Sequence, residues 1–313
     1  MPRSTFLTVC MNPTLQKTLV FDDLVPDTVN RTKNYRLDAS GKGINVSRVL
    51  SQLKMDALHL CQLGGELRPL FLSLCEKDGI KVKWVESNSP IRFCYTVINK
   101  NGKSITELVE EAEKVDAGTE EALLIAYNDV VDNFTDIIIS GSMAEGFSAM
   151  LIPEMVKIAK SKGKRVILDI RGVDLVKSLP FYPDIVKPNL FEFASTFAPD
   201  LIKENEIDYN IVSLKEKVEG IWNSISIEHN LNNKTSLVLS RGARSIWYCE
   251  KGDFRIKEYA FTPLDAINSI GSGDAFTAGL AAALSSGASL LKAIQEGHSC
   301  AALNAAQLKP GIS

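Results

Sequence analysis

From about residue 41 onward, short apolar segments rich in β-branched residues alternate with longer segments of helical periodicity. The pattern predicts a helix at 147–162 and buried strands at 136–140, 165–169, 184–187 and 237–240. Strands that are apolar along their whole length and are separated by helices are typical of a parallel sheet covered on both faces. The chain is therefore predicted to be an α/β protein with a mostly parallel central sheet covered by helices.

Two segments interrupt this alternation, at about residues 14–38 and 91–108. Both contain short period-2 patterns, which are typical of strands with one covered face. Asn101-Gly102 in the second segment is a strong hairpin signal. We expect the two segments to form a small β lid within a single domain of residues 1–313. Such a lid could exclude water from a reactive phosphate group.

Composition and charge narrow the choice of partners. The formal net charge of −3 offers no broad electrostatic attraction for nucleic acid or for an anionic membrane. No segment approaches the roughly 20 apolar residues that a membrane span needs. The six cysteines show no CxxC spacing and mostly lie in apolar segments, so we expect reduced core thiols. A cytoplasmic protein that binds neither nucleic acid nor membrane is the expectation.

The strongest chemical signal is a glycine turn that precedes an apolar helical segment. Gly271 and Gly273 flank Ser272, and Asp274 follows directly. Backbone N–H groups at such a helix start, together with the helix dipole, form a site for anionic oxygens. Asp274 could accept a proton from a hydroxyl that attacks a bound phosphate. The combination favours phosphoryl transfer, although Gly-x-Gly-Asp also occurs in ordinary turns.

A second glycine cluster, at residues 39–50, also precedes a helical segment and offers Lys42 and Asn45 to a polar ligand. It is neither a Walker A loop nor a dinucleotide-binding G-x-G-x-x-G motif, because it lacks both spacings. Polar or glycine residues also end three predicted strands, at Ser140-Gly141-Ser142, Lys187-Pro188-Asn189 and Ser240-Arg241-Gly242. Each of these could be a structural turn, but together they fit one ligand cleft at the carboxyl ends of parallel strands.

These motifs resemble the signatures of the PfkB carbohydrate kinases, which belong to the ribokinase-like superfamily. The first signature is Gly-Lys-Gly-Ile-Asn-Val-Ser, from Gly41, and the second is Gly-Ser-Gly-Asp-Ala-Phe-Thr-Ala-Gly, from Gly271. Met11-Asn12-Pro13-Thr14-Leu15, Val29-Asn30-Arg31, Ser140-Gly141-Ser142 and Lys187-Pro188-Asn189-Leu190-Phe191-Glu192 match in the expected order. The resemblance covers nearly the whole chain and is closest to the branch of 1-phosphofructokinase and tagatose-6-phosphate kinase. It implies a three-layer ribokinase-like fold with a small β lid.

The resemblance also implies a role for each motif in ATP- and Mg²⁺-dependent phosphoryl transfer. Asp274 would be the catalytic base, and the amides of Gly271, Ser272 and Gly273 would form the anion hole for the transferring phosphoryl group. An Asp with an ordinary pKa is ionised at neutral pH, so this role requires no unusual pKa shift.

The remaining matched positions fall on the nucleotide side and on the sugar side. The residues that match the nucleotide site are Lys187, Asn189, Ser240, Gly242, Asn268 and Asn304. Glu192 and Asn189 match the motif that handles hydrated Mg²⁺. The residues that match the sugar site are Gln16, Arg31, Gly41, Lys42, Asn45, Arg92 and Ser142. Arg31 and Arg92 would grip an existing phosphate, since a guanidinium offers paired donors.

Departures from the family pattern lie mainly on the sugar side. Gln16 occupies the position of an Asp that usually binds sugar hydroxyls, and Ser40 stands in place of a glycine. The segment 106–111 replaces the more usual Asn-x-Pro-Gly-Pro ending, and Ser245 replaces a glycine in the nucleotide loop. The phosphoryl-transfer motifs are therefore intact, whereas the identity of the sugar stays open.

Three functions follow from this pattern. The leading prediction is an ATP-dependent kinase of a phosphorylated ketohexose, with fructose 1-phosphate and tagatose 6-phosphate as candidates. The alternatives are a kinase of an unphosphorylated sugar or nucleoside, and a catalytically silent regulator that binds a sugar or a nucleotide. An exposed edge of the lid also favours a homodimer formed through the lid.

Overall fold

The computed structural model describes residues 5–203, 211–263 and 266–311. Its strands are β1 (Thr5–Val9), β2 (Thr14–Phe21), β3 (Tyr35–Ser40), β4 (Asp56–Gly64), β5 (Lys81–Ser87), β6 (Arg92–Asn99), β7 (Ser104–Val109), β8 (Asp136–Ser140), β9 (Arg165–Asp169), β10 (Ile185–Val186), β11 (Ser236–Ser240), β12 (Ser245–Cys249) and β13 (Lys257–Ala260). Its helices are α1 (Lys42–Gln52), α2 (Arg68–Lys77), α3 (Ala117–Val131), α4 (Leu151–Ser161), α5 (Gly172–Ser178), α6 (Leu190–Phe197), α7 (Asp200–Lys203), α8 (Ile211–Glu228), α9 (Ser272–Ser285) and α10 (Leu290–Ala305).

Nine strands form the central sheet, in the order β13-β12-β11-β10-β9-β8-β1-β4-β5. All neighbouring strands from β11 to β5 in this order pair in parallel. At the other edge, β12 is antiparallel to β11, and β13 is antiparallel to β12. Parallel strands need crossover connections, which return the chain to the end of the sheet where the previous strand began. The carboxyl ends of the parallel strands therefore lie along one edge.

Each face of the central sheet carries its own hydrophobic cluster, because successive strand residues point in opposite directions. Leu7 and Ile137 belong to one cluster, which also contains buried residues of α3, α4 and α8. Phe6 and Ile138, the neighbouring strand residues, belong to a second cluster with residues of α1, α9 and α10. The sheet therefore lies between two helical layers, which confirms the predicted three-layer α/β architecture.

A second sheet has four strands in the order β3-β2-β6-β7, and we refer to it as the small sheet. A third hydrophobic cluster, which includes Leu15, Ala39 and Ile44, joins it to α1 and α2. β6 and β7 form the predicted hairpin, but the left-handed residue of its loop is Lys103, with a φ of 46°, and not Gly102. All six residues of β7 are exposed, so the small sheet has an open edge.

The other predicted strands and the predicted helix are present in the structure, but the strand before Pro188 is shorter than predicted. The strands predicted at 136–140 and 165–169 are β8 and β9, and the helix predicted at 147–162 is α4. The strand predicted at 184–187 is shorter and comprises only Ile185–Val186. Pro188 has no N–H group and interrupts the ladder, which resumes only as an isolated bridge between Asn189 and Ser240.

The cysteines and the helices bear on two further expectations. All six cysteine side chains are buried and free of disulfide bonds, which confirms the prediction of core thiols. Within the described ranges, no helix has both the length and the apolar character that a membrane span requires.

Candidate active site

The site begins at the N-terminus of α9, where a glycine turn meets a buried helix. Gly271 precedes the helix with a φ of +80°, in the left-handed region that favours glycine. A Cβ on Gly271 would lie 2.9 Å from both Pro310 Cβ and Gly311 N, whereas a Cβ on Gly273 would meet no atom within 4 Å. The turn is thus packed on one side and open on the other, as an anion site at a helix start requires.

The amides of this turn are not equivalent. Ser272 N–H donates to the carbonyl of Ser269 at 3.2 Å, so this member of the predicted anion hole is already engaged. Gly273 lies in the first turn of α9, where N–H groups have no partner within the helix. The Gly273 amide is therefore the better placed of the two to bind an anionic oxygen.

Asp274 is buried at the start of α9, with 6% of its surface exposed. Its Oδ2 accepts a hydrogen bond of 2.8 Å from Asn45 Nδ2. Burial raises the pKa of Asp274 to about 7, with Asp169 adding to the increase and Lys42, Asn45 and Lys187 opposing it. The role of a base required no pKa shift, yet the pKa is raised, because desolvation of this carboxylate outweighs its favourable contacts.

The second glycine cluster brings Asn45 to this carboxylate. Gly41 precedes α1 with a φ of +108°, and α1 starts at Lys42, as predicted. A Cβ on Gly43 would lie 2.7 Å from His59 Cε1 and 2.8 Å from Cys10 Cβ, so only glycine allows α1 to approach β1 and β4 this closely. Both glycine turns thus position the N-terminal ends of their helices at the same place, at the carboxyl ends of the parallel strands.

Asp169 is a central residue of the site that the sequence analysis missed. It ends β9, its Oδ2 lies 3.0 Å from Lys187 Nζ, and its Oδ1 lies 3.4 Å from Lys42 Nζ. Thr277 Oγ1 of α9 donates to its Oδ2 at 2.8 Å. Burial alone would raise the pKa of Asp169, but Lys187 and Lys42 hold it below its ordinary value. A polar residue at the end of an apolar parallel strand was the available signal.

Lys42 links the two halves of the site. Its Nζ lies 3.0 Å from Glu192 Oε1 as well as 3.4 Å from Asp169. Burial acts to lower the pKa of Lys42, yet the carboxylates of Asp169, Glu192 and Asp274 raise it above its usual value. Lys42 is therefore a permanent positive charge beside the candidate base.

Asn189 and Glu192 form a capping box at the start of α6. Asn189 Oδ1 accepts from Glu192 N–H at 2.7 Å, and Glu192 Oε2 accepts from Asn189 N–H at 2.9 Å. The carboxylates of Glu192 and Asp169 both face Lys42, so oxygen donors for a hard cation are present. Across the described ranges no group of three or more His, Cys, Asp or Glu side chains could hold a metal ion. These residues fit a hydrated Mg²⁺ that is also held by phosphate oxygens, since Mg²⁺ keeps several waters.

A cleft of about 620 Å³ opens beside the start of α9. Its lining includes Ser240, Gly242, Asn189, Ser272 and Gly273, all of them predicted site residues. The sequence analysis missed its apolar and aromatic members, among them Phe261, Phe276, His298, Ala301 and Ala302. Their positions depend on how α9 packs against α10, and no local motif reports that packing.

Asn268 and Asn304 were predicted to lie in the nucleotide site, but their side chains are buried within the protein. Asn268 Nδ2 donates to the carbonyl of Leu308 at 3.0 Å. Asn304 Nδ2 donates to the carbonyl of Ile270 at 2.9 Å, and Asn304 Oδ1 accepts from the amide of Gly311 at 2.6 Å. In this structure both amides hold the glycine turn against the C-terminal segment.

The predicted phosphate-binding arginines occupy very different positions. Arg31 is exposed in the connection between β2 and β3, where it makes no hydrogen bond to another described residue. Arg92 starts β6, and its Nη1 donates to the carbonyl of Glu110 at 2.6 Å. Arg92 Nε is buried and has no hydrogen-bond partner among the described residues. Of the two predicted arginines, Arg92 therefore has a buried nitrogen without a partner among the described residues, whereas Arg31 is exposed.

Asn12, Ser142 and Gln16 complete the sugar side. Asn12 Nδ2 donates to Ser142 Oγ at 3.3 Å, while Asn12 Oδ1 is buried without a partner in the described part of the chain. Gln16 is buried on β2 and donates to Thr96 Oγ1 at 2.7 Å. Asn12 was not predicted as a site residue, although it lies three residues after the end of β1 and belongs to one of the matched motifs.

Comparison with known proteins places this geometry in a family. Residues 11–313 match the family model of the pfkB family carbohydrate kinases. The chain is similar to phosphofructokinase-2 from Escherichia coli in complex with potassium, with a TM-score of 0.82, 19% identity, and coverage of 100% of this chain and 95% of that chain. It is also similar to a possible 1-phosphofructokinase from Thermotoga maritima, with a TM-score of 0.82, 21% identity, and coverage of 99% and 94%.

A third similar structure is the tetrameric inhibited form of Escherichia coli phosphofructokinase-2. Its TM-score is 0.78 at 20% identity, and 97% of this chain and 94% of that chain are covered. At these identities the likeness establishes the shared fold, and it confirms the predicted ribokinase-like architecture.

Proposed function

The chain belongs to the pfkB family of carbohydrate kinases, and on that premise we propose that this sugar kinase transfers the terminal phosphoryl group of ATP to a hydroxyl of a phosphorylated ketohexose. Fructose 1-phosphate and tagatose 6-phosphate are the leading candidates for the acceptor. The observation that carries the proposal is the position of Asp274. Its carboxylate is held by Asn45 directly beside the open first turn of α9 and faces the ammonium groups of Lys42 and Lys187.

The proposed reaction needs a base, an anion site and a donor site within one cleft. The acceptor hydroxyl oxygen attacks the γ-phosphorus, the bond from that phosphorus to the bridging oxygen breaks, and Asp274 takes the hydroxyl proton. A pKa near 7 strengthens Asp274 as a base while leaving about half of it ionised at neutral pH. The Gly273 amide and the dipole of α9 stabilise the charge on the transferring phosphoryl oxygens.

The two lysines act on the same phosphoryl group from opposite sides of Asp169. Asp169 holds both ammonium groups in place, within 3.0 and 3.4 Å of its two oxygens. Fixed positive charges stabilise a loose transition state without having to reorganise during the reaction. Glu192 and Asn189 would hold Mg²⁺ through its waters, and the ion would neutralise phosphate charge when bound.

The ATP site is the cleft lined by Ser240, Gly242 and Gly273. Its walls are largely apolar and aromatic, as expected for a pocket that covers a purine base. The cleft meets the start of α9 at Gly273, so a nucleotide bound there would point its phosphates toward Asp274.

An unpaired guanidinium nitrogen supports a phosphorylated acceptor. Arg92 Nε is buried and has no hydrogen-bond partner among the described residues. A buried, unpaired donor costs free energy, which a bound phosphate oxygen would recover. Asn12 Oδ1, which is buried and likewise has no partner in the described ranges, would accept from a sugar hydroxyl.

A second candidate is a kinase of an unphosphorylated sugar or nucleoside. It is favoured by the exposure of Arg31 and by the bond from Arg92 to the carbonyl of Glu110. A third, a silent regulator, would bind ligands in the same cleft without turnover.

We further propose that two copies pair through the small sheet. β7 offers an open edge on which Leu108 and Val109 are each about half exposed. The substitution Leu108→Lys should convert a dimer into a monomer in light scattering, whereas the control Ile125→Lys on α3 should not. A wild-type monomer at micromolar concentration would contradict the pairing.

One screen tests the activity and separates the three candidates. ATP consumption is measured against a panel of sugars, nucleosides and their phosphates, with Mg²⁺ present and absent. We expect the highest kcat/KM with a ketohexose phosphate and none without a divalent cation. Faster turnover of neutral sugars would favour the second candidate, and ligand binding without any turnover would favour the third.

A further inference from the structure

Arg48 is a buried guanidinium close to the base but outside the cleft. It lies on α1, one turn after Asn45, and only 1% of its surface is exposed. Its Nε donates to Asp78 Oδ2 at 2.7 Å, and its Nη2 donates to the carbonyl of Ala39. Its Nη1 donates to Asn45 Oδ1 at 2.8 Å and to the carbonyl of Pro310 at 2.9 Å. Arginine is almost never fully buried unless it is paired, and here all three guanidinium nitrogens donate to fixed partners.

The bond to Asn45 decides which end of an amide faces the base. An asparagine side chain has two donors at one end and an acceptor at the other, in nearly the same shape. Arg48 Nη1 and Ser40 Oγ both donate to Asn45 Oδ1, at 2.8 and 3.3 Å. With the oxygen held there, Nδ2 is the end that reaches Asp274 Oδ2. A reversed amide would place an acceptor against the carboxylate, and only a protonated Asp274 could then bond to it.

The same guanidinium also connects the two glycine turns. Pro310 packs against the Gly271 position, and the neighbouring Gly311 amide is held by Asn304. Asn304 in turn donates to Ser272 Oγ at 3.0 Å. Arg48 therefore bridges α1 and the C-terminal segment that supports the start of α9.

We infer that Arg48 is a positioning residue for the base: by fixing the amide of Asn45, it keeps Asp274 in the state that accepts a proton. The inference rests on the proposed function, since it assigns Arg48 a role in the chemistry of Asp274. Without the guanidinium, the side-chain amide of Asn45 should be able to flip or to move away from Asp274, so that the bond from Nδ2 to Asp274 Oδ2 is lost. Asp274 would then hold its proton up to a higher pH.

Other charged and titratable groups face Asp274 from neighbouring elements, and none of them is among the hydrogen-bond partners of Arg48, which are Asp78, Asn45, Ala39 and Pro310 in the described part of the chain. They are Lys42 on α1, Asp169 at the end of β9, Lys187 after β10 and Cys10 after β1. A change in the titration of Asp274 on substitution of Arg48 therefore reports the Asn45 bond, provided that these four groups are unaltered.

The test is the pH dependence of kcat/KM for Arg48→Met. We expect its acidic limb to move to higher pH by about one unit, which is a tenfold loss near pH 6 and little loss at pH 9. In the Asn45→Ala background, Arg48→Met should not move the acidic limb of the pH profile any further, because the side-chain amide that Arg48 holds is already absent. Equal losses at every pH, or independent effects of the two substitutions, would overturn the inference.

Asp78→Asn is the matched control. It replaces the carboxylate that accepts from Arg48 Nε with a neutral amide and leaves the bond to Asn45, so it should lower stability without moving the acidic limb. If the acidic limb of the kcat/KM profile moves as far in Asp78→Asn as in Arg48→Met, the shift comes from a general loss of packing around Arg48 and not from the bond to Asn45. If Arg48→Met does not fold, Arg48→Lys, alone and in the Asn45→Ala background, gives the same comparison.

A second readout does not depend on the substrate. The difference in unfolding free energy between wild type and Asp274→Asn changes with pH up to the folded-state pKa of Asp274. In the Arg48→Met background this change should extend to higher pH than in wild type, and identical curves would overturn the inference. If wild type phosphorylates no sugar, or Asp274→Asn is fully active, the proposed function fails instead, and this stability comparison still decides the role of Arg48.

Discussion

The two sides of the site differ in how far the protein's own contacts fix them. On the phosphoryl-transfer side, Asp274 is bonded to Asn45, and Asp169 lies between Lys42 and Lys187. On the sugar side, described polar groups remain open: Asn12 Oδ1 and Arg92 Nε are buried without partners, and Arg31 is exposed.

The groups that phosphoryl transfer requires are thus fixed by contacts within the protein, whereas the groups for sugar recognition are left to bind the substrate. Phosphoryl transfer is the same reaction for every acceptor, so its charges can be positioned before any ligand binds. The hydroxyl and phosphate groups differ from one sugar to another, and the polar groups on the sugar side can form hydrogen bonds with them when the ligand binds. Substitutions on the first side should therefore change turnover or stability, and those on the second should change substrate preference.

The largest effect is expected for Asp274→Asn. Loss of the base should lower kcat by about a thousandfold, within the range for a positioned general base. ATP binding, measured by calorimetry, should be largely retained because the cleft is unchanged. A kcat within threefold of wild type would remove Asp274 from the mechanism.

A large loss of stability is expected for Asp169→Asn. The substitution would leave Lys187, which is 2% exposed, without its carboxylate, and removing one partner of a buried pair costs about 3–5 kcal/mol. The control is Asp132→Asn, which removes the surface pair with Lys162 and should cost far less, because water screens an exposed ion pair. Urea unfolding measures both, and equal costs would contradict the proposed pre-organisation.

Arg92→Ala should sharpen the comparison on the sugar side. We expect KM for a ketohexose phosphate to rise about tenfold to a hundredfold, since a charge-assisted contact is lost, and KM for a neutral sugar to change little. Arg31→Ala should have a smaller effect in steady-state assays, because Arg31 is exposed. Arg68→Ala, a surface substitution on α2, serves as the control, and equal effects on phosphorylated and neutral sugars would reject the assignment.

The smallest effect is expected for Gln16→Asp. If Gln16 sets specificity, the carboxylate should improve kcat/KM on fructose 1-phosphate by a few fold. Asp38 is the register partner of Gln16 on β3, so repulsion between two carboxylates limits the gain. No gain on any ketohexose phosphate would exclude Gln16 as the specificity switch.

The sequence predicted the parts of the site that local structure determines. Gly271 and Gly41 precede helices as predicted, because a left-handed glycine at a helix start is a local feature. The layers of the fold followed from apolar strands alternating with helices. The hairpin at 99–104 was predicted from Asn101-Gly102, although the left-handed residue of its loop is Lys103.

Features that depend on tertiary packing were not predictable in this way. The raised pKa of Asp274 comes from burial, which no motif reports. Asp169 acts through Lys42 and Lys187, which are distant in sequence. Asn304 matched a nucleotide position, yet packing of α10 against the glycine turn directs its side chain inward.

The most direct test of the account is the ratio of kcat/KM for wild type to that for Asp274→Asn, measured as a function of pH with the same substrates. Titration of ATP and of the sugar phosphate affects both proteins and cancels in this ratio. With a pKa of about 7 for Asp274, the ratio should rise about tenfold per pH unit below 7 and become constant above it. A ratio that does not change with pH would contradict the assignment of Asp274 as the base.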